Sequence, residues 1–353
     1  MVTSYLHLED GSVFAGVAIG FRGQADGEVV FSTGMTGYPQ SLTDPSFVGQ
    51  ILIFTYPLIG NYGVPRARIQ GKHLLSNFES ENIWAKGVII GDCSDKPSHY
   101  ESYRSFSQFL SMHKVPGIEG IDTRSLTQML RDKGVMRGRI SSKKILPPWP
   151  QRDQEVFVSR VSTKLPIIYT PQHSNGKHVV LVDCGVKHGI LRSLLAYGYK
   201  VTRIPWDEDP TKISPIDGVI ASNGPGDPKD CTKTIEHIKK VIDKGIPFVG
   251  ICLGHQLLAL AIGANTYKLK YGHRGLNQPC LDVISQKAYV TSQNHGYAVD
   301  KNTIPAGFME WFINLNDGTN EGIRHESKKI LSVQFHPEGN PGPFDTQWIL
   351  NTL

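Results

Sequence analysis

One stretch of the chain, Gly245–Gly263 (GIPFVGICLGHQLLALAIG), constrains the fold more than any other. Its first apolar run, Ile246–Ile251, leads directly into an apolar run of helix-favouring residues, which is the pattern of a buried strand that continues into a helix. Gly250 and Gly254 flank Cys252 at the junction. A side chain at either glycine would collide with the strand or the helix, so this G-x-C-x-G spacing predicts a sharp elbow with Cys252 at its apex.

The predicted elbow gives Cys252 a setting for nucleophilic chemistry. It lifts the sulfur clear of the sheet and places it at a helix N-terminus, where unpaired N–H groups and the helix dipole favour an anion. Such a setting typically lowers the pKa of a thiol from its free value of about 8.5. The alternative is that Cys252 is one more buried cysteine of an α/β core, since free cysteine is among the most buried residue types.

The composition of the whole chain excludes several other classes of protein. Its 353 residues are enough for two domains with full cores, and 39% hydrophobic with 20% charged residues is typical of a soluble globular protein. The net charge of +5 is small for this length, and no block of Lys and Arg predicts nucleic-acid binding. No apolar run approaches the roughly 20 residues of a membrane span. We therefore expect neither nucleic acid nor a membrane as a partner.

The cysteines and the N-terminus indicate the compartment. The cysteines are odd in number and scattered and form no CxxC pair, which argues against a disulfide framework and against a zinc site. They are Cys93, Cys184, Cys231, Cys252 and Cys280. The N-terminal segment MVTSYLHLEDGS carries acidic residues early and has no hydrophobic signal region. These features predict a cytoplasmic protein that holds no metal.

Residues 1–140 are interpreted as a mixed α/β domain with much β structure. Short apolar runs between turn clusters predict strands at Val13–Phe14, Glu28–Ser32, Gln50–Thr55 and Gly87–Ile90. Helices are predicted over Tyr100–His113 and from Asp122 to a stop at Gly134. No acid–base pair or phosphate loop stands out, so the residues alone predict a structural domain or a docking surface.

The pattern breaks down over residues 141–176, which we interpret as the connection between two domains. Pro147-Pro148-Trp149-Pro150 predicts a stiff, extended piece. One short strand is predicted near Val156–Val158.

Strands alternate with helices over residues 177–353. The predicted strands are His178–Asp183, Lys200–Ile204, Gly218–Ser222, Ile246–Ile251 and Ile330–Phe335. The predicted helices are Val186–Tyr197, Thr232–Lys244 and Leu253–Ile262. This alternation predicts an α/β domain with a doubly wound, mostly parallel sheet covered on both faces. The turn Gly224–Gly226 and Cys252 both follow strand ends, so we expect them together at the active-site edge of the sheet.

A thiol nucleophile needs a base, and the base needs a group that orients it. His336 and Glu338 directly follow the predicted strand Ile330–Phe335. Residues two apart on an extended chain point the same way, so Glu338 can bond one imidazole nitrogen and leave the other facing Cys252. The alternative is a surface His and Glu at a strand end, since 13 histidines make a chance H-x-E common.

Further polar groups complete the hypothetical site. The N–H of Leu253, next after the nucleophile, is the first candidate donor to an oxyanion, and the turn Gly224–Gly226 is the second. Gln256 lies one helical turn past Cys252, so its amide can reach a bound substrate. The polar run Thr291–Tyr297 is by default a structural loop.

Several segments together resemble two known families. Four segments resemble the class I, or triad-type, glutamine amidotransferases. They are SNGPGDP (222–228), GICLGHQ (250–256), SQNHGYAV (292–299) and VQFHPEGNPGPFD (333–345). Three further segments, residues 28–52, 55–65 and 120–134, resemble the small-subunit domain of carbamoyl-phosphate synthetases. Residues 259–280 look particularly like the form fused into multifunctional pyrimidine-pathway polypeptides. The resemblance covers nearly the whole chain and implies a flavodoxin-like fold for the second domain.

The resemblance implies a glutaminase reaction. Cys252 would attack the side-chain amide of glutamine to give a γ-glutamyl thioester, His336 would protonate the departing ammonia and later activate water, and Glu338 would orient His336. The implied glutamine contacts are Ser46, Gly224, Gly226, Leu253, Gln256, Asn294, Gly296 and Tyr297. Because Ser46 lies in the N-terminal domain, the resemblance implies that this domain closes over the substrate.

The resemblance also implies a partner. Ammonia would pass through a tunnel into a large synthetase subunit, which combines it with bicarbonate and ATP to make carbamoyl phosphate for pyrimidine or arginine biosynthesis. ATP and Mg would then belong to the partner, with no cofactor in this chain, in agreement with the lack of an ATP loop. Two departures from the family pattern matter: the final helix looks short, since Leu353 follows soon after Asp345, and Tyr297 stands where phenylalanine is common, a mild swap that adds only a hydroxyl.

Three alternatives remain at this point. A non-catalytic assembly or regulatory subunit on the same fold would need a buried, unreactive Cys252. An amidotransferase that feeds GMP or anthranilate synthesis would lack the N-terminal domain. A cysteine peptidase would lack the glutamine contacts at Gln256 and Asn294.

Overall fold

The computed structural model describes residues 2–71, 74–144, 149 and 156–353. The chain divides into two compact units, residues 1–70 with 75–155 and residues 71–74 with 156–353. The predicted extended piece Pro147–Pro150 lies outside the described residues except for Trp149. No helix among the described residues has the length and apolar character needed to span a membrane.

Among its described residues, the first unit contains strands and three helices. In chain order the strands are β1 (Thr3–Leu8), β2 (Val13–Gly20), β3 (Ala25–Ser32), β4 (Gln50–Phe54), β5 (Leu58–Ile59), β6 (Val64–Pro65), β7 (Ile69–Gln70), β8 (Leu74–Leu75, at the boundary with the second unit), β9 (Gly87–Ile89), β10 (Asp92–Cys93), β11 (Ser102–Arg104), β12 (Pro116–Glu119) and β13 (Met136–Ser141). The helices are α1 (Tyr38–Thr43), α2 (Phe106–Met112) and α3 (Thr123–Lys133), with a 3₁₀ turn at Pro45–Phe47.

Seven of these strands close into a barrel in the order β1-β13-β3-β4-β9-β12-β2. Strands β3, β4, β9 and β12 are joined by parallel pairings, and the remaining pairings are antiparallel. Val30, Leu52 and Val88 are fully buried in the core of this unit. The mixed α/β prediction with much β structure fits these elements, but the closure was not predicted, because it depends on pairing between strands that are distant in sequence.

One predicted helix of this unit begins later than expected. Residues Ser102–Arg104 form β11, and α2 begins only after Ser105, whose side chain accepts from the N–H of Gln108 in a capping box. The other predicted helix is confirmed. Asp122 caps α3 through the N–H of Ser125, and Gly134 ends it with a positive φ of 98°.

Among its described residues, the second unit contains ten further strands and four helices. In chain order the strands are β14 (Ile167–Tyr169), β15 (His178–Asp183), β16 (Lys200–Pro205), β17 (Gly218–Ala221), β18 (Phe248–Ile251), β19 (Asn265–Asp282), β20 (Lys287–Asp300), β21 (Phe308–Asn314), β22 (Asn320–His325) and β23 (Ile330–Val333). The helices are α4 (Val158–Val161), α5 (His188–Ala196), α6 (Thr232–Asp243) and α7 (Leu253–Ala261). Shorter 3₁₀ helices lie at Pro210–Lys212, Pro228–Asp230, Lys301–Thr303 and Gln347–Asn351.

These strands form one sheet in the order β14-β16-β15-β17-β18-β23-β22-β20-β19-β21. Its centre, β16-β15-β17-β18-β23, is parallel. Helix α5 and the segment Gln347–Asn351 contribute to the core on one face of the sheet, whereas α6 and α7 contribute to the other. The predicted α/β class with a doubly wound parallel sheet is therefore confirmed for this centre. The antiparallel strands that extend the sheet beyond both of its edges were not predicted.

Two local predictions in this unit were wrong. The strand expected near Val156–Val158 is absent among the described residues, because Val158 begins α4, and the strand of this region is β14. The run Thr291–Tyr297 is not a loop but part of β20, which pairs antiparallel with β19 along most of its length. Its inward side chains are polar and bond to one another, as Gln293 does to Thr291, so the usual alternation of apolar and polar residues is missing.

Candidate active site

Cys252 occupies the junction of β18 and α7 with φ 53° and ψ −101°, a left-handed conformation that is strained for a residue with a side chain. Its N–H donates to the carbonyl of Val333 at 2.8 Å and so fixes the elbow to β23. A Cβ at Gly250 would come within 2.5 Å of the Gly254 oxygen, and one at Gly254 within 2.1 Å of the Ala221 oxygen. The two glycines therefore have the steric cause that the sequence predicted.

The Cys252 sulfur is almost enclosed, and the residue is only 2% exposed. The thiol donates to the carbonyl of Asn294 at 3.7 Å, and the Nε2 group of Gln334 donates to the sulfur at 3.7 Å. Leu253 opens α7, so no carbonyl of the helix can accept its N–H. A Cβ at Gly224 would come within 2.9 Å of the Leu253 side chain, which places the glycine-rich turn beside the elbow.

His336 and Glu338 form a buried pair at the end of β23. Nδ1 of His336 lies 2.7 Å from Oε1 of Glu338, and the backbone N–H of His336 donates to the carbonyl of Ser292 at 2.8 Å. Nε2 of His336 makes no hydrogen bond of normal geometry within the described part of the chain. Cys252 is nevertheless close enough to raise the pKa of His336, so the imidazole and the thiol are neighbours.

The electrostatics favour the charged forms of both partners. Burial alone would lower the pKa of His336, but the Glu338 carboxylate and Cys252 raise this pKa to about 10. Burial alone would raise the pKa of Glu338, but Lys187 and His336 lower this pKa to about 2. The Glu338 carboxylate therefore favours a protonated imidazole beside the Cys252 sulfur.

Lys187 belongs to the site and was missed in the sequence. Its Nζ lies 2.9 Å from Oε1 of Glu338 and donates to the carbonyl of Gly339 at 2.8 Å, and the residue is 2% exposed. The available signal was its position near the start of the predicted helix Val186–Tyr197, four residues after the first predicted strand of the parallel sheet and at the edge where Cys252 was expected. A lysine there must be paired if it is buried, and its position indicates a carboxylate partner at that edge.

The predicted glutamine contacts are distributed over both units. Asn294, Gly296 and Tyr297 lie on β20, and Leu253 and Gln256 lie on the first turns of α7. The Nε2 group of Gln256 donates to the carbonyl of Tyr297 at 2.9 Å, which joins these two elements.

The glycine-rich turn supplies two further predicted contacts. Gly224 touches the elbow helix, whereas Gly226 has a φ of 94° and a Cβ there would lie 3.5 Å from Phe157. A positive φ explains the need for glycine at position 226.

Ser46 belongs to the first unit. It lies in the 3₁₀ turn Pro45–Phe47 and is 8% exposed, and its N–H donates to the side chain of Asp44 at 2.9 Å. Its contact with glutamine stays a prediction.

A second cluster of charged groups supports β20. Nε2 of His273 lies 2.8 Å from Asp317, and Glu321 lies 3.4 Å from Nδ1 of His273 and 3.7 Å from Nε2 of His295. The possible ligand atoms of the two histidines and Glu321 lie within 4.8 Å of one another. The observed contacts are an ion pair between His273 and Asp317 and polar contacts from Glu321 to both histidines, and they hold His295 between two predicted glutamine contacts.

Two family models match the chain. The model described as carbamoyl-phosphate synthase small chain, CPSase domain, matches residues 6–140. The model described as glutamine amidotransferase class-I matches residues 180–353 and includes Cys252, His336 and Glu338.

Curated relatives match over almost the whole chain. The carbamoyl phosphate synthase arginine-specific small chain of Chaetomium globosum is 46% identical over 99% of this chain and 77% of its own length, and that of Neurospora crassa is 46% identical over 98% and 77%. This chain belongs to the carbamoyl phosphate synthase small-chain family. The resemblance identified in the sequence is thereby confirmed.

The small chain also matches a fused relative and a solved structure. Multifunctional protein CAD of Squalus acanthias is 48% identical over 96% of the small chain, which spans 15% of CAD. The crystal structure of a glutamine amidotransferase from Thermotoga maritima matches 46% of the small chain and 76% of its own chain, with 22% identity and a TM-score of 0.38.

We predict that Glu338→Gln lowers glutamine hydrolysis by the small chain by about 10²–10⁴-fold, as in other triads that lose the orienting carboxylate. The change removes the charge that most strongly raises the pKa of His336 and that pairs with the Lys187 ammonium. Glutamate release measures the effect, and Glu326→Gln, at an exposed site, is the matched control. Wild-type turnover by folded Glu338→Gln protein would contradict this prediction.

We predict that His273 stabilises the second unit in a pH-dependent way. Burial would lower the pKa of His273, but Asp317 and Glu321 raise it to about 9 from 6.5. A raised pKa means that the stabilisation is complete below about pH 6.5 and is lost as the pH rises through 9. His273→Gln should therefore lower the melting temperature at pH 6, and this difference should shrink by pH 9.5.

The size of the His273 effect is on the order of 1 kcal/mol, because Asp317 is partly solvated. Thermal unfolding followed by circular dichroism at both pH values measures it. His173→Gln, on an exposed turn, should give no pH-dependent difference. An equal loss for His273→Gln at pH 6 and pH 9.5 would show that His273 does not act through its charge.

Proposed function

We propose that this small chain hydrolyses glutamine with Cys252 as the nucleophile and supplies the ammonia to a carbamoyl phosphate synthase large chain. The observation that carries the proposal is the left-handed Cys252 elbow, fixed to the strand whose end bears the buried His336–Glu338 pair. The two family matches support the substrate and the partner, since one half matches glutamine amidotransferases and the other carbamoyl-phosphate synthase small chains.

The first half-reaction forms the thioester. The Cys252 thiolate attacks the side-chain carbonyl carbon of glutamine, and the carbonyl electron pair moves to oxygen. The N–H groups of Leu253 and the turn at Gly224 are the proposed donors to this oxyanion. His336 gives the proton on Nε2 to the amide nitrogen, the carbon–nitrogen bond breaks, and ammonia leaves a γ-glutamyl thioester on Cys252.

The second half-reaction restores the enzyme. Neutral His336 takes a proton from water, whose oxygen attacks the thioester carbonyl. The carbon–sulfur bond then breaks, which releases glutamate and regenerates the thiolate beside the imidazolium. Glu338 keeps Nδ1 of His336 protonated in both steps, and Lys187 keeps Glu338 ionised.

The polar groups around the elbow suit a free amino acid with an amide side chain. The Nε2 group of Gln256 is already committed to Tyr297 and Gln334, so Oε1 is the atom through which Gln256 would accept from glutamine. Asn294, Gly296 and Tyr297 lie on the part of β20 whose Asn294 carbonyl contacts the sulfur. Ser46 and Gly226 are proposed as glutamine contacts because the resemblance implies them.

The proposed partner completes the overall reaction. ATP and Mg would be bound by the large chain, and this chain would need no cofactor of its own. The ammonia would serve arginine or pyrimidine synthesis, since its relatives are named as arginine-specific small chains and as the multifunctional protein CAD. All five cysteines are free thiols, which supports a cytoplasmic location.

The enclosure of the Cys252 sulfur is also what a non-catalytic assembly subunit would show, so reactivity must distinguish the two functions. We predict that Cys252→Ala lowers glutamate release from glutamine by about 10³-fold or more, because no other group replaces the nucleophile. Activity of the unchanged chain should rise when a large chain and ATP are added. Glutamate release is measured with and without that partner.

Cys93→Ala, at a half-buried thiol of the first unit, is the matched control and should keep its activity. Retained hydrolysis in Cys252→Ala would reject the nucleophile. No hydrolysis by the folded, unchanged chain under any of these conditions would favour the assembly subunit.

A further inference from the structure

Gln334 follows β23 directly and contacts the nucleophile, although the resemblance gives it no role. Its side chain is fully buried, and its backbone N–H donates to the carbonyl of Glu321 at 2.9 Å. Nε2 of Gln334 donates to the Cys252 sulfur at 3.7 Å, and Oε1 accepts from Nε2 of Gln256 at 3.0 Å. The two ends of one amide thus join the sulfur to the elbow helix.

The orientation of both amides follows from one backbone carbonyl. The oxygen of Tyr297 can only accept, so the group of Gln256 that faces it at 2.9 Å must be the NH₂ group. The second hydrogen of that NH₂ group needs an acceptor, which is Oε1 of Gln334. The NH₂ group of Gln334 must then face Cys252. The assignment does not depend on distinguishing oxygen from nitrogen by position alone.

The sulfur lies between one acceptor and one donor. The carbonyl of Asn294 accepts from the protonated thiol but repels a thiolate. The NH₂ group of Gln334 can donate to either form and bonds more strongly to the anion. Gln334 is therefore the neutral contact that favours ionisation, in addition to the nearby imidazolium of His336.

We propose that Gln334 is a positioning residue that stabilises the Cys252 thiolate and, through Gln256, ties the sulfur to the Tyr297 carbonyl on the glutamine-binding strand. This inference rests on the proposed role of Cys252 as nucleophile. The two amides are bonded in series, so charge on the sulfur polarises Gln334 and strengthens the bond that Gln334 accepts from Gln256. A shift of β20 at Tyr297 therefore changes the contact at the sulfur.

The rate at which iodoacetamide alkylates Cys252, followed from pH 5 to pH 10, tests the proposal without any turnover. Mass spectrometry of the Cys252 peptide separates this thiol from the other four. Gln334→Met keeps the length of the side chain and removes the donor. The midpoint of the alkylation profile should rise by about 0.5–1 pH unit, which slows alkylation below the midpoint by about 3- to 10-fold.

Gln347→Met is the matched control, because the amide of Gln347 donates to Ser193 at 3.1 Å rather than to the sulfur. Its profile should match the unchanged chain. A folded Gln334→Met protein with an unshifted midpoint would overturn the proposal. If Gln334→Met does not fold, Gln256→Met decides, since it frees the Gln334 amide: a smaller rise supports the proposal and no rise overturns it.

Different results would reject the role of Cys252 and the role of Gln334. A Cys252→Ala chain that still hydrolyses glutamine rejects the nucleophile whatever the alkylation profiles show. An inactive Cys252→Ala chain together with an unshifted Gln334→Met profile rejects only the role of Gln334.

Discussion

The Glu338 carboxylate, shared between the Lys187 ammonium and the His336 imidazole, is the interaction on which the rest of the site depends. All three groups are withdrawn from water, so each charge carries a desolvation cost that its contacts with the other two help to offset. Neutralising the carboxylate would remove the ion pair that it forms with the buried Lys187 ammonium. The carboxylate therefore stays ionised, keeps His336 protonated and presents a positive charge to Cys252.

The sheet brings these groups together through a single geometric rule. Neighbouring parallel strands end at the same edge, and four adjacent strands each deliver one part of the site. Lys187 follows β15, Gly224 follows β17, Cys252 follows β18, and His336 with Glu338 follows β23. The antiparallel strand β20 then adds Asn294 and Tyr297 beside the sulfur. The chemistry is thus assembled from segments distant in sequence.

The sequence predicted those parts whose causes are local. The elbow follows from two glycines around Cys252, the cap of α3 from Asp122, and the His336–Glu338 contact from a two-residue spacing at a strand end. The role of Lys187 could not be predicted from the sequence, because it depends on a carboxylate some 150 residues away. The sequence predicts a loop at Thr291–Tyr297 instead of the strand β20, because buried polar side chains that bond to one another leave no alternating apolar pattern. The closure of the barrel could not be predicted either, because it depends on pairing between strands that are distant in sequence.

The most direct test of Cys252 as the nucleophile is to trap the covalent intermediate. The small chain, mixed with isotopically labelled glutamine and quenched in acid within one turnover, is digested and its peptides are examined by mass spectrometry. If Cys252 is the nucleophile, a labelled glutamyl group should be found on the Cys252 peptide. This group should disappear after treatment with hydroxylamine and should be absent from the Cys252→Ala protein. Release of labelled glutamate with no glutamyl group on Cys252 at any quench time would contradict this role.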